Sequence, residues 1–248
     1  MAKVGDILER LEMLMPLDLA EDYDNVGLLA GSREREVSAV MCALDLNAYV
    51  IAEAEAHGAQ LIVTHHPILF RGRKNLCEDD PEGRLLARLV RSGVSLIAMH
   101  TNYDNARDGV NDALAARLGL RDVTVLENGM RMGEIDGMNL DALAGHVQEC
   151  LGGVVRRYGS TDMPVKRVAV MGGSGGSYAP IAIGAGADVF ITGEIGYHSA
   201  LDAWDMKMGV LEAGHAATEL PAVHHLAGKL RKLGMDIDVF ESGYQPFV

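Results

Sequence analysis

Two seven-residue stretches of this 248-residue chain match each other in order and in residue type. Gly58–Ala59–Gln60–Leu61–Ile62–Val63–Thr64 and Gly186–Ala187–Asp188–Val189–Phe190–Ile191–Thr192 each join a Gly-Ala turn to an apolar run closed by threonine. Short β-rich runs of this kind read as buried strands. Polar residues follow both, His65–His66 after the first and Gly193–Glu194 after the second. Each is then followed by a helix and a further strand that ends in histidine, at His100 and at His215. A match in order and in type predicts a duplicated α/β module. The first repeat, residues 1–128, carries His65, His66 and Asp104; the second, residues 129–248, carries Glu194, His215 and Glu219.

The flanking pattern alternates in the same way. Helices are expected over Val4–Leu14, Ala48–His57, Glu82–Arg91, Gly109–Leu118, Leu140–Cys150 and Tyr197–Trp204, with another starting at Tyr178–Ile183. Strands are expected over Ala39–Leu46, Gln60–Thr64, Val94–Met99, Val154–Tyr158, Arg167–Met171, Asp188–Thr192, Gly209–Ala213 and Asp236–Phe240. Strand–helix alternation implies an α/β fold with largely parallel sheets covered by helices. Pro221 would break a helix interior, so the final helix is expected to begin at Thr218, a good N-cap, and to run to about Leu233.

Composition removes several classes of function. The hydrophobic fraction of 48% marks a globular chain, yet no apolar run nears the roughly 20 residues of a membrane-spanning helix. Met1 to Glu12 is too interspersed with charge for a secretory signal. Three widely spaced cysteines without a CxxC pair argue against a disulfide framework and suit a reducing cytoplasm. A net charge of −13 with no basic stripe argues against general nucleic-acid binding.

Ligands of open α/β sheets gather outside the carboxyl ends of strands, and three such ends here offer imidazoles and carboxylates. His65 and His66 are adjacent, and neighbours on a strand point to opposite faces. Either Pro67 breaks the strand so that both face one ion, or each faces a different ion of a pair. Asp104 could bridge two cations, or cap the helix that follows. His100 is a candidate ligand, support or proton carrier. His215 and Glu219 are spaced i, i+4 and share one side if that turn is helical; alternatively Glu219 answers the helix dipole. Glu194 and His198 are candidates for acid, base or substrate contact, with a capping role for Glu194 equally open. The run Gly172–Gly173–Ser174–Gly175–Gly176–Ser177 could hold a phosphate on its N–H groups. It lacks the lysine of a P-loop, however, and reads better as a tight strand-to-helix connection. His224 and His225 are read as surface or subunit-contact residues, and His57 and His146 as ordinary helix positions. No cysteine lies in a histidine-bearing motif.

Taken together, Asp24–Asn25–Val26–Gly27, Thr64–His65–His66–Pro67, His100–Thr101–Asn102–Tyr103–Asp104, the glycine run, Thr192–Gly193–Glu194 with His198, and Gly214–His215 with Thr218–Glu219 resemble a known family. It is that of the GTP cyclohydrolase 1 type 2 homologues, or NGG-one-interacting-factor-three-like proteins. The resemblance runs nearly the whole chain. It implies two intertwined α/β repeats and two divalent metal ions per subunit (Zn, Fe, Mn, Co or Ni) held by His65, His66, Asp104, His215 and Glu219. It also implies a ring-shaped homohexamer with its metal sites facing an inner cavity. The expected activity is metal-dependent hydrolysis of a nucleotide or similar small heterocycle, with His100, Glu194 and His198 moving protons. The contrasting expectation is a non-catalytic metal carrier or protein-interaction scaffold.

Overall fold

The computed structural model describes Met1–Tyr244, and the chain forms two compact units. One holds Met1–Ala106 and Val223–Tyr244, the other Arg107–Ala222. These limits differ from the repeat boundary at residue 128, and positions 245–248 of the second repeat lie outside the described residues.

In chain order the first unit contains β1 (Ala2–Lys3), α1 (Val4–Leu14), β2 (Gly27–Ala30), β3 (Glu36–Val37), β4 (Ala39–Ala43), α2 (Ala48–Ala56), β5 (Leu61–Thr64), α3 (Pro81–Ser92), β6 (Ser95–Ala98) and α4 (Thr101–Asn105). The second contains α5 (Val110–Arg117), β7 (Arg121–Val125), β8 (Arg131–Asn139), α6 (Leu140–Leu151), β9 (Arg156–Tyr158), β10 (Pro164–Met171), α7 (Ala179–Gly184), β11 (Val189–Thr192), α8 (Tyr197–Asp205) and β12 (Gly209–Glu212). The chain closes with α9 (His215–Arg231) and β13 (Asp238–Glu241), which pairs with β4.

Local chemistry sets the helix ends. Asn47 caps α2 by accepting the N–H groups of Tyr49 and Val50 at 2.9 and 3.0 Å. Asp80 caps α3 through Gly83 N–H at 2.8 Å, and Pro81 occupies its first position. Side-chain oxygens here satisfy donors that the helix itself leaves unbonded. Gly93, at φ +71°, ends α3 in the left-handed conformation that glycine adopts without a Cβ clash.

The sheet of the first unit has the order β13-β4-β5-β6-β2, parallel except for β2. That of the second has the order β7-β8-β10-β11-β12-β9, with β10, β11 and β12 parallel and the remaining pairings antiparallel. Each sheet therefore contains three successive parallel strands, with an antiparallel strand beside the third. The likeness extends to single hydrogen bonds. Gln60 Oε1 accepts Ser38 and Ala39 N–H in one unit, and Asp188 Oδ2 accepts Lys166 and Arg167 N–H in the other. Met99 N–H reaches the Thr64 carbonyl and Ala213 N–H the Thr192 carbonyl, both at 2.9 Å.

Every residue of β4, β5, β6 and β11 is buried, as expected of parallel strands covered on both faces. Val50, Ile51 and Leu89 pack on Ile62 and Leu96 in the first unit; Leu143 and Val147 pack on Val168 and Leu211 in the second. Fully burying one such side chain contributes about 1.5–3 kcal/mol.

The structure corrects three expectations. Helix α9 starts at His215 rather than Thr218, with Pro221 at its seventh position. An interior proline removes one ladder bond and costs about 3 kcal/mol. Here the preceding turns are held from outside: Thr218 Oγ1 donates to the His215 carbonyl at 2.8 Å and accepts Gly173 N–H at 3.0 Å. Strands β7 and β8 were not expected, because Gly133, Gly137 and several charges dilute the alternating pattern. Arg131 in β8 is nonetheless buried, bonded by two nitrogens to Asp112 at 2.7 and 2.6 Å. The short α4 was also unexpected. Among the described residues no helix is long and apolar enough to cross a membrane.

Candidate functional site

In the first unit the polar groups collect where β4, β5 and β6 end. Past Thr64 the backbone still pairs with the end of β4, His65 N–H with Ala43 at 3.2 Å and His66 N–H with Leu44 at 3.0 Å. Thr64 Oγ1 donates to the His66 carbonyl at 2.9 Å, folding the chain over. The two imidazoles, which a regular strand would send to opposite faces, stand 4.9 Å apart between centroids. The His100 ring lies 5.1 Å from that of His65 and 5.5 Å from that of His66. One ligand nitrogen from each of the three falls within 4.8 Å of the others.

Their tautomers follow from the outer nitrogens. His65 Nδ1 donates to the Met99 carbonyl at 2.9 Å, His66 Nδ1 to Asp45 Oδ1 at 2.8 Å, and His100 Nδ1 to Asp24 Oδ1 at 2.9 Å. In all three rings the lone pair for an ion is then on Nε2, the arrangement typical of metal-binding histidines. Asp104 lies on α4, one turn beyond His100, with Oδ1 3.7 Å from His65 Nε2. It does not cap α5, whose cap is Gly109. Burial pushes the Asp24 carboxyl upward, but donors from His100 and Thr101 outweigh it and hold the group well below the usual carboxylate range.

In the second unit, Gly214 turns the chain at φ +90° and delivers His215 as the first residue of α9. The i, i+4 geometry holds, with His215 Nε2 3.2 Å from Glu219 Oε2. Two atoms that each bind one ion at about 2.1 Å sit about 3.0–3.4 Å apart, so the pair matches neighbouring positions on one cation. On the other side, His215 Nδ1 faces Glu194 Oε1 and Ser174 Oγ, both at 3.4 Å. The Ser174 hydroxyl donates to Glu194 Oε2. That bond, with His215 close by, keeps the Glu194 carboxyl below its ordinary value despite partial burial.

The glycine run forms a tight connection between β10 and α7. Gly172 N–H donates to Asn111 Oδ1 at 2.9 Å, Gly173 N–H to Thr218 Oγ1 at 3.0 Å and Gly176 N–H to the Glu194 carbonyl at 3.0 Å. Its glycines permit close approach: a Cβ on Gly173 would stand 2.2 Å from Glu219 Oε1. His198 is exposed in the first turn of α8 against Tyr197, and it shares no hydrogen bond or ion pair with the His215 group among the described residues. His224 is exposed and bonded to Glu241.

Sequence reading did not single out Asp45, Ser174 or the role of Asp24. Asp45 had a usable signal, because it follows β4, the neighbour of β5, at the same carboxyl edge. The donor set of each group, imidazole with carboxylate, fits a divalent ion of intermediate softness.

The chain matches, over residues 2–246, the family described as Duf34/NIF3 (NGG1p interacting factor 3). It is 35% identical to the GTP cyclohydrolase 1 type 2 homolog of Clostridium acetobutylicum, covering 97% of this chain and 95% of that one. Against the corresponding Lactococcus lactis protein identity is 33%, over 97% and 96% of the two chains. Among solved structures, Staphylococcus aureus protein SA1388 superposes with a TM-score of 0.92 at 29% identity, over 99% of this chain and 98% of that one. Coverage, identity and fold agree: this chain belongs to the Duf34/NIF3 family.

Proposed function

We propose that this chain is a metal-dependent hydrolase of a nucleotide or similar small heterocycle, holding two divalent ions on His65, His66, Asp104, His215 and Glu219. One observation carries the reading. Each imidazole has its Nδ1 committed to a fixed acceptor or facing one, which turns Nε2 toward other ligand groups. When bound, divalent ions at such residues supply Lewis acidity toward a carbonyl, ring carbon or phosphoryl group. Glu194, kept ionised by Ser174 and His215, accepts a proton at Oε1 or Oε2. His100, backed by the Asp24 carboxylate, can carry a proton on Nε2 and return it. His198 serves as a substrate contact from the surface of α8. The resemblance adds a ring-shaped homohexamer, and the free cysteines suit a cytoplasmic setting.

The test is elemental analysis of purified protein, followed by a hydrolysis screen over nucleotides and cyclic amides with Mn, Zn or Fe. The expected result is about two ions per chain, with turnover that is lost in Asp104→Ala. Turnover that survives this change would refute the mechanism. Exchangeable metal without turnover, together with copurifying proteins, would favour a carrier or scaffold.

A further inference from the structure

We propose that Ser174 is a nucleophile toward small carbonyl compounds, an ester or a cyclic amide, with Glu194 taking its proton. As the covalent step of the proposed hydrolysis it rests on that reading; as the reactivity of one serine it stands on its own geometry.

Gly172–Gly173–Ser174–Gly175–Gly176 has the spacing GxSxG and lies between strand β10 and helix α7. A strand-to-helix turn of this spacing presents the serine hydroxyl at the carboxyl end of a sheet, and glycines on either side let the chain bend close to its neighbours. Space is short at both flanking glycines. A Cβ on Gly172 would stand 3.3 Å from Glu219 Cγ, and one on Gly176 would stand 2.6 Å from Ile195 Cα. The same turn fixes the carboxylate. Glu194 N–H donates to the Gly173 carbonyl at 2.9 Å, and Gly176 N–H donates to the Glu194 carbonyl at 3.0 Å. Residue 194 is thereby clamped to the chain before and after Ser174.

The side chains complete the arrangement. Ser174 is exposed, and its hydroxyl donates to Glu194 Oε2 at 2.5 Å. His215 Nδ1 lies 3.4 Å from Glu194 Oε1 and 3.4 Å from Ser174 Oγ. A nucleophile, a base within hydrogen-bond reach and a third group that orients the base form the pattern of nucleophilic catalysis. A second serine–glutamate bond shows what is particular to this one. Ser242 Oγ donates to Glu53 Oε2, but the other oxygen of Glu53 takes Gly243 N–H rather than facing an imidazole, and Ser242 is half-buried. In the reaction, Ser174 Oγ bonds to the carbonyl carbon as its proton passes to Glu194. The bond from that carbon to the ester oxygen or ring nitrogen then breaks, and the leaving atom takes the proton. Water next hydrolyses the acyl-serine: its oxygen bonds to the carbon, the bond to Oγ breaks, and a water proton returns to Oγ through Glu194.

The experiment treats the full chain, as purified and after chelation, with diisopropyl fluorophosphate and locates the adduct by peptide mass mapping. One adduct is expected, on Ser174, in both preparations. Ser242 and the exposed Ser177 of the same run are internal references and should stay unlabelled. Glu194→Gln keeps an acceptor for the hydroxyl but cannot take its proton, so labelling should slow by about 100- to 10,000-fold. p-Nitrophenyl acetate should give an initial release of about one p-nitrophenolate per chain, the mark of an accumulating acyl-enzyme, and Ser174→Ala should abolish both the release and the adduct. Labelling that misses Ser174, that is matched at Ser177 or Ser242, or that is unchanged in Glu194→Gln overturns the proposal. Elemental analysis of the same samples keeps the two readings apart: a labelled chain that takes up no metal would refute the ions alone, and a metal-loaded chain that is not labelled would refute the nucleophile alone.

Discussion

Replacing Gly173 by alanine should weaken metal binding while leaving the fold standing. Gly173 sits at φ +61°, where an L-residue costs about 1–2 kcal/mol. The new Cβ would lie 2.2 Å from Glu219 Oε1 and 3.2 Å from His215 Nε2. The backbone cannot retreat, because Gly173 N–H is bonded to Thr218 and its carbonyl accepts Glu194 N–H at 2.9 Å. Relief comes from the carboxylate, which must swing aside by about 1 Å to restore van der Waals distance. Glu219 is only 5% exposed, so it has little room except by leaving its place beside His215. The expected outcome is a metal-free melting temperature lower by about 2–8 °C, and metal affinity lower by about 10- to 100-fold. Differential scanning fluorimetry with chelator and competitive titration with a metal indicator measure the two. Gly193→Ala is the contrasting control. Its Cβ would meet the Gly173 carbonyl at 2.6 Å and His215 Cα at 2.8 Å, atoms of the backbone that cannot swing away. That change should lower the melting temperature more than Gly173→Ala does. A Gly173→Ala protein with unchanged metal affinity would refute the reasoning.

Asp45→Asn should lower metal affinity by about 10- to 100-fold with the melting temperature nearly unchanged, because it weakens the hold on His66 Nδ1 and leaves the core intact; equal affinity in the indicator titration would remove Asp45 from the site. Acid should expose two other carboxylates. Asp24 and Asp112 are both held below the ordinary value of 3.8, against burial, by donors from His100 and Thr101 and from Arg131 respectively. A depressed carboxyl contributes stability above its unfolded value and loses it as pH falls through the folded one. Urea midpoints should therefore drop from about pH 4 downward, and Asp112→Asn should flatten that fall while lowering the midpoint at pH 7. A wild-type acid slope in Asp112→Asn would count against this assignment.

Much of the first unit was legible because its signals are local. Helix α1 has the expected limits, since Val4, Gly5, Ile7, Leu8 and Leu11 form its buried face. The repeated Gly-Ala-strand-Thr segment was legible too, because a parallel strand buried on both faces tolerates little but apolar residues. Long-range terms hid the rest. Arg131 reads as surface until Asp112, nineteen residues earlier, is seen to neutralise it. Pro221 reads as a barrier until Thr218 and Gly173 are seen to brace the turn before it. Histidines and carboxylates after strands were visible as candidates, but Asp45 acts through the ring it faces and Ser174 through Glu194 and His215.

The bonds on the outer ring nitrogens of His65, His66 and His100 also bear on kinetics. An imidazole that is already latched loses almost no rotational freedom when an ion arrives, so capture needs little rearrangement and little entropy is surrendered. Apo and loaded protein should then show nearly the same amide-exchange pattern around β5 and β6, and the speed of metal uptake should be set by water leaving the ion rather than by the protein's own motion.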